Sequence, residues 1–299
     1  MRILLTGASG QVGGALTGRL LAFGAVVTPG RAAFDLANVE AIPASLDAIA
    51  PDVIVNPAAY TAVDRAEDEP ELAQRINADA PGAIGRWAAA RMVPVVHFST
   101  DYVFDGSGDT PWREDDTPAP LSVYGRSKLG GERALRAAAG PHLIVRTSWV
   151  YHHTGINFLR TIARLAAERE ELRIVADQFG APTSADTIAN TLAELLQKHG
   201  GDFAALAAAS SGLLHLTASG AANWHDFATA IVTGLKARGV PVQAKRIVPI
   251  TTPEFPTKAQ RPLNSRLDLA RVTGLLGHAM PSWQSALDAT LDRWPAPKT

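Results

Sequence analysis

A tyrosine and a lysine stand four positions apart in Tyr124-Gly125-Arg126-Ser127-Lys128. On a helix, side chains at i and i+4 share a face. A free phenol holds its proton to a pKa of about 10, too tightly for exchange at neutral pH. An ammonium beside it stabilises the phenolate, so the pair can serve as the acid in a carbonyl reduction, and the same lysine can hold ribose hydroxyls. Surface helices carry many such pairs that do no chemistry. The context that sets this one apart is Ser99-Thr100-Asp101. Thr100 can donate a hydrogen bond to a substrate carbonyl. Asp101 has two readings, a group that touches substrate or one that holds the following loop by hydrogen bonds.

A second constellation opens the chain. Gly7-Ala8-Ser9-Gly10-Gln11-Val12-Gly13 follows a short apolar run and precedes a helical one. Glycines at this spacing let the backbone turn tightly and approach a pyrophosphate, and the helix N-terminus adds N–H donors and partial positive charge. The spacing is GxxGxxG rather than GxGxxG, so its place in the first strand-to-helix turn carries the reading. An acidic residue ends the second strand where the adenosine ribose is unphosphorylated; here Pro29-Gly30-Arg31 follows Val27-Thr28. Arg31 has two readings, a partner of the 2′-phosphate of NADPH or a solvated loop arginine, with NADH as the alternative cofactor. Asp35 and Leu36 are placed beside the adenine.

The elements that must position these residues alternate. Strands are expected from Ile3 to Thr6, Val26 to Thr28, Val53 to Asn56, Val95 to Ser99 and Leu143 to Thr147. Helices are expected from Val12 to Phe23, about Glu71 to Met92 and about Tyr124 to Ala139. Short β-branched runs alternating with helices imply a parallel sheet covered on both faces. The fold expected is α/β, a Rossmann-type doubly wound parallel sheet over residues 1–150 that binds NAD(P), with a smaller C-terminal α/β substrate-binding portion over residues 151–299. The boundary is soft, and elements can interchange across it. Thr100 then falls at the C-terminal end of a central strand, where open α/β sheets place their sites.

Composition excludes several classes. Of 299 residues, 46% are hydrophobic and 19% charged, and the formal net charge is -1, so no global field favours nucleic acid or an acidic membrane. There is no cysteine, which removes disulfides, thiol nucleophiles and cysteine-ligated metals. No apolar run approaches the ~18 residues of a membrane span, and the opening Met1 to Gly7 reads as a buried strand rather than a leader. The expectation is a cytoplasmic enzyme, monomeric or homodimeric.

Together these stretches resemble the extended short-chain dehydrogenase/reductases, and among them the dTDP-4-dehydrorhamnose reductase family. The resemblance is carried in order by Gly10 to Gly13, Pro51 to Asn56, Ala58 to Asp64, Ser99 to Phe104, Tyr124 to Lys128, Arg146 to Tyr151, Asp177 to Thr183 and Arg261 to Ser265. It implies NAD(P)H-dependent reduction of the 4-keto group of a dTDP-sugar in surface-polysaccharide precursor synthesis. Thr100, Tyr124 and Lys128 would be catalytic. Gly7, Gly10, Gln11, Val12, Gly13, Ala58, Ala59 and Tyr60 would line the cofactor. Asp101, Trp149, Asn157, Gln178 and Arg261 would bind substrate, with Trp149 against the sugar nucleotide and Arg261 on the diphosphate. Read without the resemblance, a lone Trp149 is a core or rim aromatic and a lone Arg261 a surface loop residue. Some members of the family use magnesium, but no constellation in this sequence requires a metal.

Departures and rivals remain open at this point. Pro57 replaces a small residue of the family, and His152-His153 follows Tyr151 where small residues are commoner. Adjacent histidines diverge on regular elements, so they make a poor metal site. His97 reads as a satisfied core residue, and the acidic run Asp64, Glu67, Asp68, Glu69, Glu71 as a solvated helix start. A sugar-nucleotide epimerase or dehydratase of the same fold is one rival, but the Asp-Glu pair of dehydratases is absent because Tyr102 follows Asp101. A non-catalytic nucleotide-binding regulatory subunit is the other; retention of both Tyr124 and Lys128 argues against it.

Overall fold

The computed structural model describes residues 1–294; the last five residues of the expected C-terminal portion, 295–299, lie outside the described residues. Five strands follow the expected alternation: β1 Arg2–Leu5, β2 Ala25–Val27, β3 Val53–Asn56, β4 Val95–Thr100 and β5 His142–Thr147. A sixth, β6 Leu213–His215, completes a sheet ordered β6-β5-β4-β3-β1-β2, and every pairing in it is parallel. β3 and β4 are buried along their whole length, as strands covered on both faces must be.

Alternate side chains feed two apolar layers. Ile3, Leu5, Val53, Val55, Val96 and Phe98 pack with the helices Gln11–Leu20 and Ala185–Lys198. Leu4, Ile54, Val95 and Ile144 face the helices Ile42–Ile49 and Ala80–Ala89. The chain leaves this body after β5 and returns to it with Ala185–Lys198 and β6. A third core, built on Tyr151, Leu159, Phe227 and Trp283, gathers most of what lies outside that return. The Ala-rich stretch forms the helix Phe203–Ala209.

The long helix expected over Glu71 to Met92 is three consecutive segments: Pro70–Gln74, a π-helical turn Arg75–Asp79, and Ala80–Ala89. Pro81 has no N–H to close an α-type bond to the carbonyl of Asn77, so the ladder widens there. The freed carbonyl faces Gly131 on the helix Val123–Ala137, where a β-carbon would sit 2.1 Å from it. Only glycine permits that approach. The Asn77 side chain then bridges Tyr60 N at 2.8 Å, Tyr60 O at 3.0 Å and Ser127 Oγ at 3.0 Å.

Val123–Ala137 is also anchored to the sheet. Glu132 accepts two bonds from Arg146 of β5, at 2.9 and 2.7 Å, and one from Ser99 of β4 at 2.6 Å. Both partners of the ion pair are buried. Removing one partner of such a pair strands a buried charge. Glu132→Ala should lower the unfolding free energy by about 3–5 kcal/mol, read by chemical denaturation; a loss under 1 kcal/mol would mean that Arg146 reaches water and the anchor is not real.

Candidate active site

The C-terminal ends of β1, β3, β4 and β5 converge on one edge of the sheet. At β1, Gly7 adopts φ +57°, and a β-carbon on Gly13 would stand 2.1 Å from the Gly7 carbonyl oxygen. The loop is thus tight enough for backbone alone. The helix Gln11–Leu20 opens at Gly10 with no side-chain cap and no acidic residue in its first turn. Its N–H donors suit an anion. Gln11 Oε1 is buried without a hydrogen-bond partner. Ala58 packs against Gly7, and its N–H reaches Thr6 Oγ1 at 3.4 Å. These features fit a dinucleotide pyrophosphate laid across Gly7, Gly10, Gln11, Val12 and Gly13.

Thr100 ends β4. Its hydroxyl donates to Asp101 Oδ1 at 2.9 Å and accepts Tyr102 N–H at 3.2 Å. The Tyr102 ring lies edge-on to Tyr124 with centroids 6.0 Å apart, and the Thr100 side chain is near enough to act on the Tyr124 phenol. Lys128, one turn along, is buried with its amino group 2.6 Å from Phe98 O and 3.4 Å from His97 Nε2. The expected lowering of the phenol by Lys128 is not what this geometry does. Burial pushes the Tyr124 phenol up to about 12, partly offset by Thr100. Burial also brings Lys128 down to about 8, against the opposing pull of Glu132. Desolvation outweighs the charge effect because Lys128 is turned toward Phe98 and His97.

The Asp101 side chain holds Thr100 and Ser148 rather than the loop that follows it. It is buried, accepting from Thr100 and from Ser148 Oγ at 2.8 Å. Burial raises it to about 6, while the Ser148, Ser265 and Thr100 hydrogen bonds pull the other way. The carboxyl therefore orients Thr100 from behind.

The remaining expected residues divide. Arg31 is exposed and lies 4.0 Å from Asp35, free to swing, and Asp35 caps Ala37 N at 3.0 Å. Leu36 is a correction: it is buried in the core rather than presented to an adenine. Ala59 and Tyr60 border the loop, with the Tyr60 hydroxyl donating to Glu69 at 2.7 Å. Trp149, at φ +47°, stacks on Trp224 with centroids 3.5 Å apart, and its ring fills the space a side chain at Gly180 would need. Trp224 N–H donates to Gln178 at 3.2 Å, and Gln178 donates to Thr252 at 3.0 Å. Asn157 is a second correction, because its side chain is committed to capping the helix Phe158–Glu168. It accepts Arg160 N–H at 3.1 Å and donates to the carbonyls of His152 and Thr154 at 2.8 and 3.0 Å. Arg261 is committed to Asp64, at 3.0 and 2.6 Å, and holds that carboxyl below its ordinary range.

The acidic run is more than the solvated helix start expected. Asp64 holds Arg261, Asp68 pairs with Lys258, and Glu67 accepts Val123 N–H at 2.8 Å. It ties the 258–261 segment and the start of the tyrosine helix to one strip. Sequence reasoning also passed over Ser148, Glu132 and Trp224; only the family stretch Arg146 to Tyr151 pointed near the first. Among the described residues, His152, His153 and Asp186 have ligand atoms within 4.8 Å of one another. Arg293 already donates to Asp186 at 2.6 Å and lies 3.4 Å from His153 Nε2, so a guanidinium supplies the positive charge there.

Parallel strands in this order, with a tyrosine–lysine helix reaching over the end of β4, are the build of the extended short-chain dehydrogenase/reductases. Within that class, the family described as RmlD substrate binding domain matches residues 1–295, and the chain belongs to that family. It is 43% identical over 298 residues to the dTDP-4-dehydrorhamnose reductase of Escherichia coli K12, covering 98% of this chain and 97% of that one. Its identity to the enzyme of the same name from Burkholderia thailandensis is 45% over 291 residues, 96% and 97% of the two chains. The structure of the Bacillus anthracis dTDP-4-dehydrorhamnose reductase in complex with NADP superposes with a TM-score of 0.86 at 32% identity, over 97% of this chain and 98% of that one.

Two outcomes follow from the placements of Asp101 and Asn157. The folded pKa of Asp101 lies above that of a free aspartate, so folding favours the protonated acid. That contribution to stability is complete below about pH 4 and is lost as pH rises through about 6. Denaturation midpoints of Asp101→Asn relative to the parent should therefore gain steadily from pH 4 to about 6 and level off above; a difference flat across this range would contradict it. Asn157→Ala should cost about 1 kcal/mol of stability in thermal denaturation, while an unchanged melting temperature would refute the capping assignment.

Proposed function

We propose that this chain reduces the 4-keto group of dTDP-4-dehydro-L-rhamnose to give dTDP-L-rhamnose, using NADPH in preference to NADH, in the supply of surface-polysaccharide precursors. Tyr124 beside Thr100 at the end of β4 carries the reading. Bound nicotinamide would supply hydride. Thr100 would hold the carbonyl oxygen by turning its one hydroxyl proton from Asp101 to that oxygen, while Ser148 keeps Asp101 in place. Tyr124, kept as a neutral phenol by burial, would give its proton to that oxygen as negative charge grows. Lys128 lies one turn behind Tyr124, and its amino group would hold the ribose and restore charge balance. The uncapped helix after Gly10 and the loop at Ala58 and Tyr60 would take the pyrophosphate and nicotinamide side.

The sugar nucleotide would lie between this edge and the Trp149, Gln178, Trp224 group. Arg261 would reach its diphosphate only by sharing its guanidinium with Asp64. We place the reaction in the cytoplasm, in a monomer or homodimer. No helix among the described residues is long and apolar enough to cross a membrane.

Turnover of freshly generated keto-sugar, followed by NADPH absorbance, should fall at least ~100-fold in Tyr124→Phe. Binding of NADPH without turnover, on this and on other keto-sugar nucleotides, would instead support the regulatory-subunit reading. Arg31→Ala should raise KM for NADPH about tenfold or more, the loss of a charge-assisted bond, and leave KM for NADH unchanged; equal KM values in the parent would rule out the role of Arg31.

A further inference from the structure

His97 is a buried histidine that the proposed reaction does not use. It sits on β4 beneath the tyrosine helix, with Nε2 3.5 Å from where a β-carbon on Gly131 would be. Its two ring nitrogens both have partners. Nδ1 lies 3.1 Å from Asn56 Nδ2, and Nε2 lies 3.4 Å from Lys128 Nζ. Asn56 continues the line to Thr6 Oγ1 at 2.6 Å, and Thr6 directly precedes the glycine loop. A buried chain of side chains thus runs from the cofactor loop of β1, through β3 and β4, to Lys128.

Burial and the nearby Lys128 charge hold the imidazole well below its ordinary pKa, so it is neutral and carries one N–H. One N–H cannot serve both neighbours in the same way. An ammonium at Lys128 must donate to Nε2, which puts the imidazole proton on Nδ1 and requires the amide oxygen of Asn56 to face it. A neutral amine at Lys128 can accept from Nε2–H, which leaves Nδ1 to accept from the Asn56 amide nitrogen, with Thr6 donating to the amide oxygen. The two amide orientations occupy the same volume. Each arrangement satisfies the groups between Asn56 and Lys128, and each matches one charge state of Lys128.

We propose that His97 is a positioning residue for Lys128: its Nε2 holds the amino group, and the Thr6–Asn56–His97 chain reverses its hydrogen-bond direction when Lys128 loses its proton. The inference rests on Lys128 acting beside Tyr124 as proposed above. The chain is not a proton conduit, because the Asn56 amide cannot relay a proton; its two directions select between charge states. The Phe98 carbonyl, 2.6 Å from Nζ, accepts from Lys128 in either charge state and so does not select between them, and the side chains nearby do not replace His97. Glu132, on the same helix, is bonded to Arg146 and Ser99; Asp101, after β4, to Thr100 and Ser148; and Tyr124 is held as a neutral phenol by burial. Burial brings Lys128 down to about 8, so the second direction fills as pH rises through that value.

The test is a 15N NMR titration of histidine-labelled protein, with His97 assigned by its loss in His97→Gln. The His97 ring should pass from the Nδ1–H to the Nε2–H tautomer with a midpoint near 8, and Lys128→Met should abolish the inflection. A ring that keeps one tautomer from pH 6 to 10 while Lys128 titrates would overturn the proposal. This readout needs no turnover, so it stands or falls apart from the assigned reaction. In activity, His97→Leu removes an acceptor from the ammonium and should move the basic limb of the kcat profile down by about one pH unit, with His97→Gln restoring it. An unmoved limb in folded His97→Leu would show that His97 only fills space.

Discussion

The buried triad of Glu132, Arg146 and Ser99 is the constraint on which the site depends. Tyr124 and Lys128 ride on one helix, Thr100 ends one strand, and nothing in either element alone fixes their relative height. Glu132 does so by meeting Arg146 of β5 in two parallel hydrogen bonds and Ser99 of β4 in a third. The fork geometry of guanidinium and carboxylate is intolerant of sliding. A slip of one helical residue would move Tyr124 away from Thr100 and leave a charge without its partner. The neighbouring glycine, Gly131, lets the helix approach the widened turn at Asn77, which locks the same register from the other side.

The same burial that fixes the site decides its chemistry. Desolvation raises Tyr124 and Asp101 and lowers Lys128, so each drifts toward its neutral form. A phenol that strongly retains its proton is a donor in waiting, not a base. It becomes effective only when an oxygen beside it begins to carry charge, which is the moment a reduction requires. The proton that a reduction needs is therefore already on Tyr124 at rest.

Much of this was legible in the sequence, for identifiable reasons. The five strands, the glycine turn and the strand-end threonine are local signals, set by periodicity and by residues two to seven positions apart. The sixth strand was not, because Leu213–His215 is three residues long and reaches the sheet only after the chain has left it. Asn157 and Arg261 illustrate a second limit. Their types suit a sugar or a diphosphate, but Asn157 is spent on a helix start and Arg261 on Asp64, a partner 197 positions away. The long helix before β4 failed at Pro81, whose missing N–H should have flagged the break. Glu132 gave no signal at all, since a glutamate on a helix reads as solvated until the arginine facing it is seen.

Hydride delivery to a sugar carbonyl at the Thr100–Tyr124 edge is the step on which everything else turns. The most direct measurement is turnover of dTDP-4-dehydro-L-rhamnose with NADPH carrying deuterium at both C4 positions of the nicotinamide, followed by NMR of the product. Hydride transfer should leave one deuterium at C4 of the sugar, in a single configuration. A product without deuterium at C4, or a sugar that is only epimerised, would contradict it.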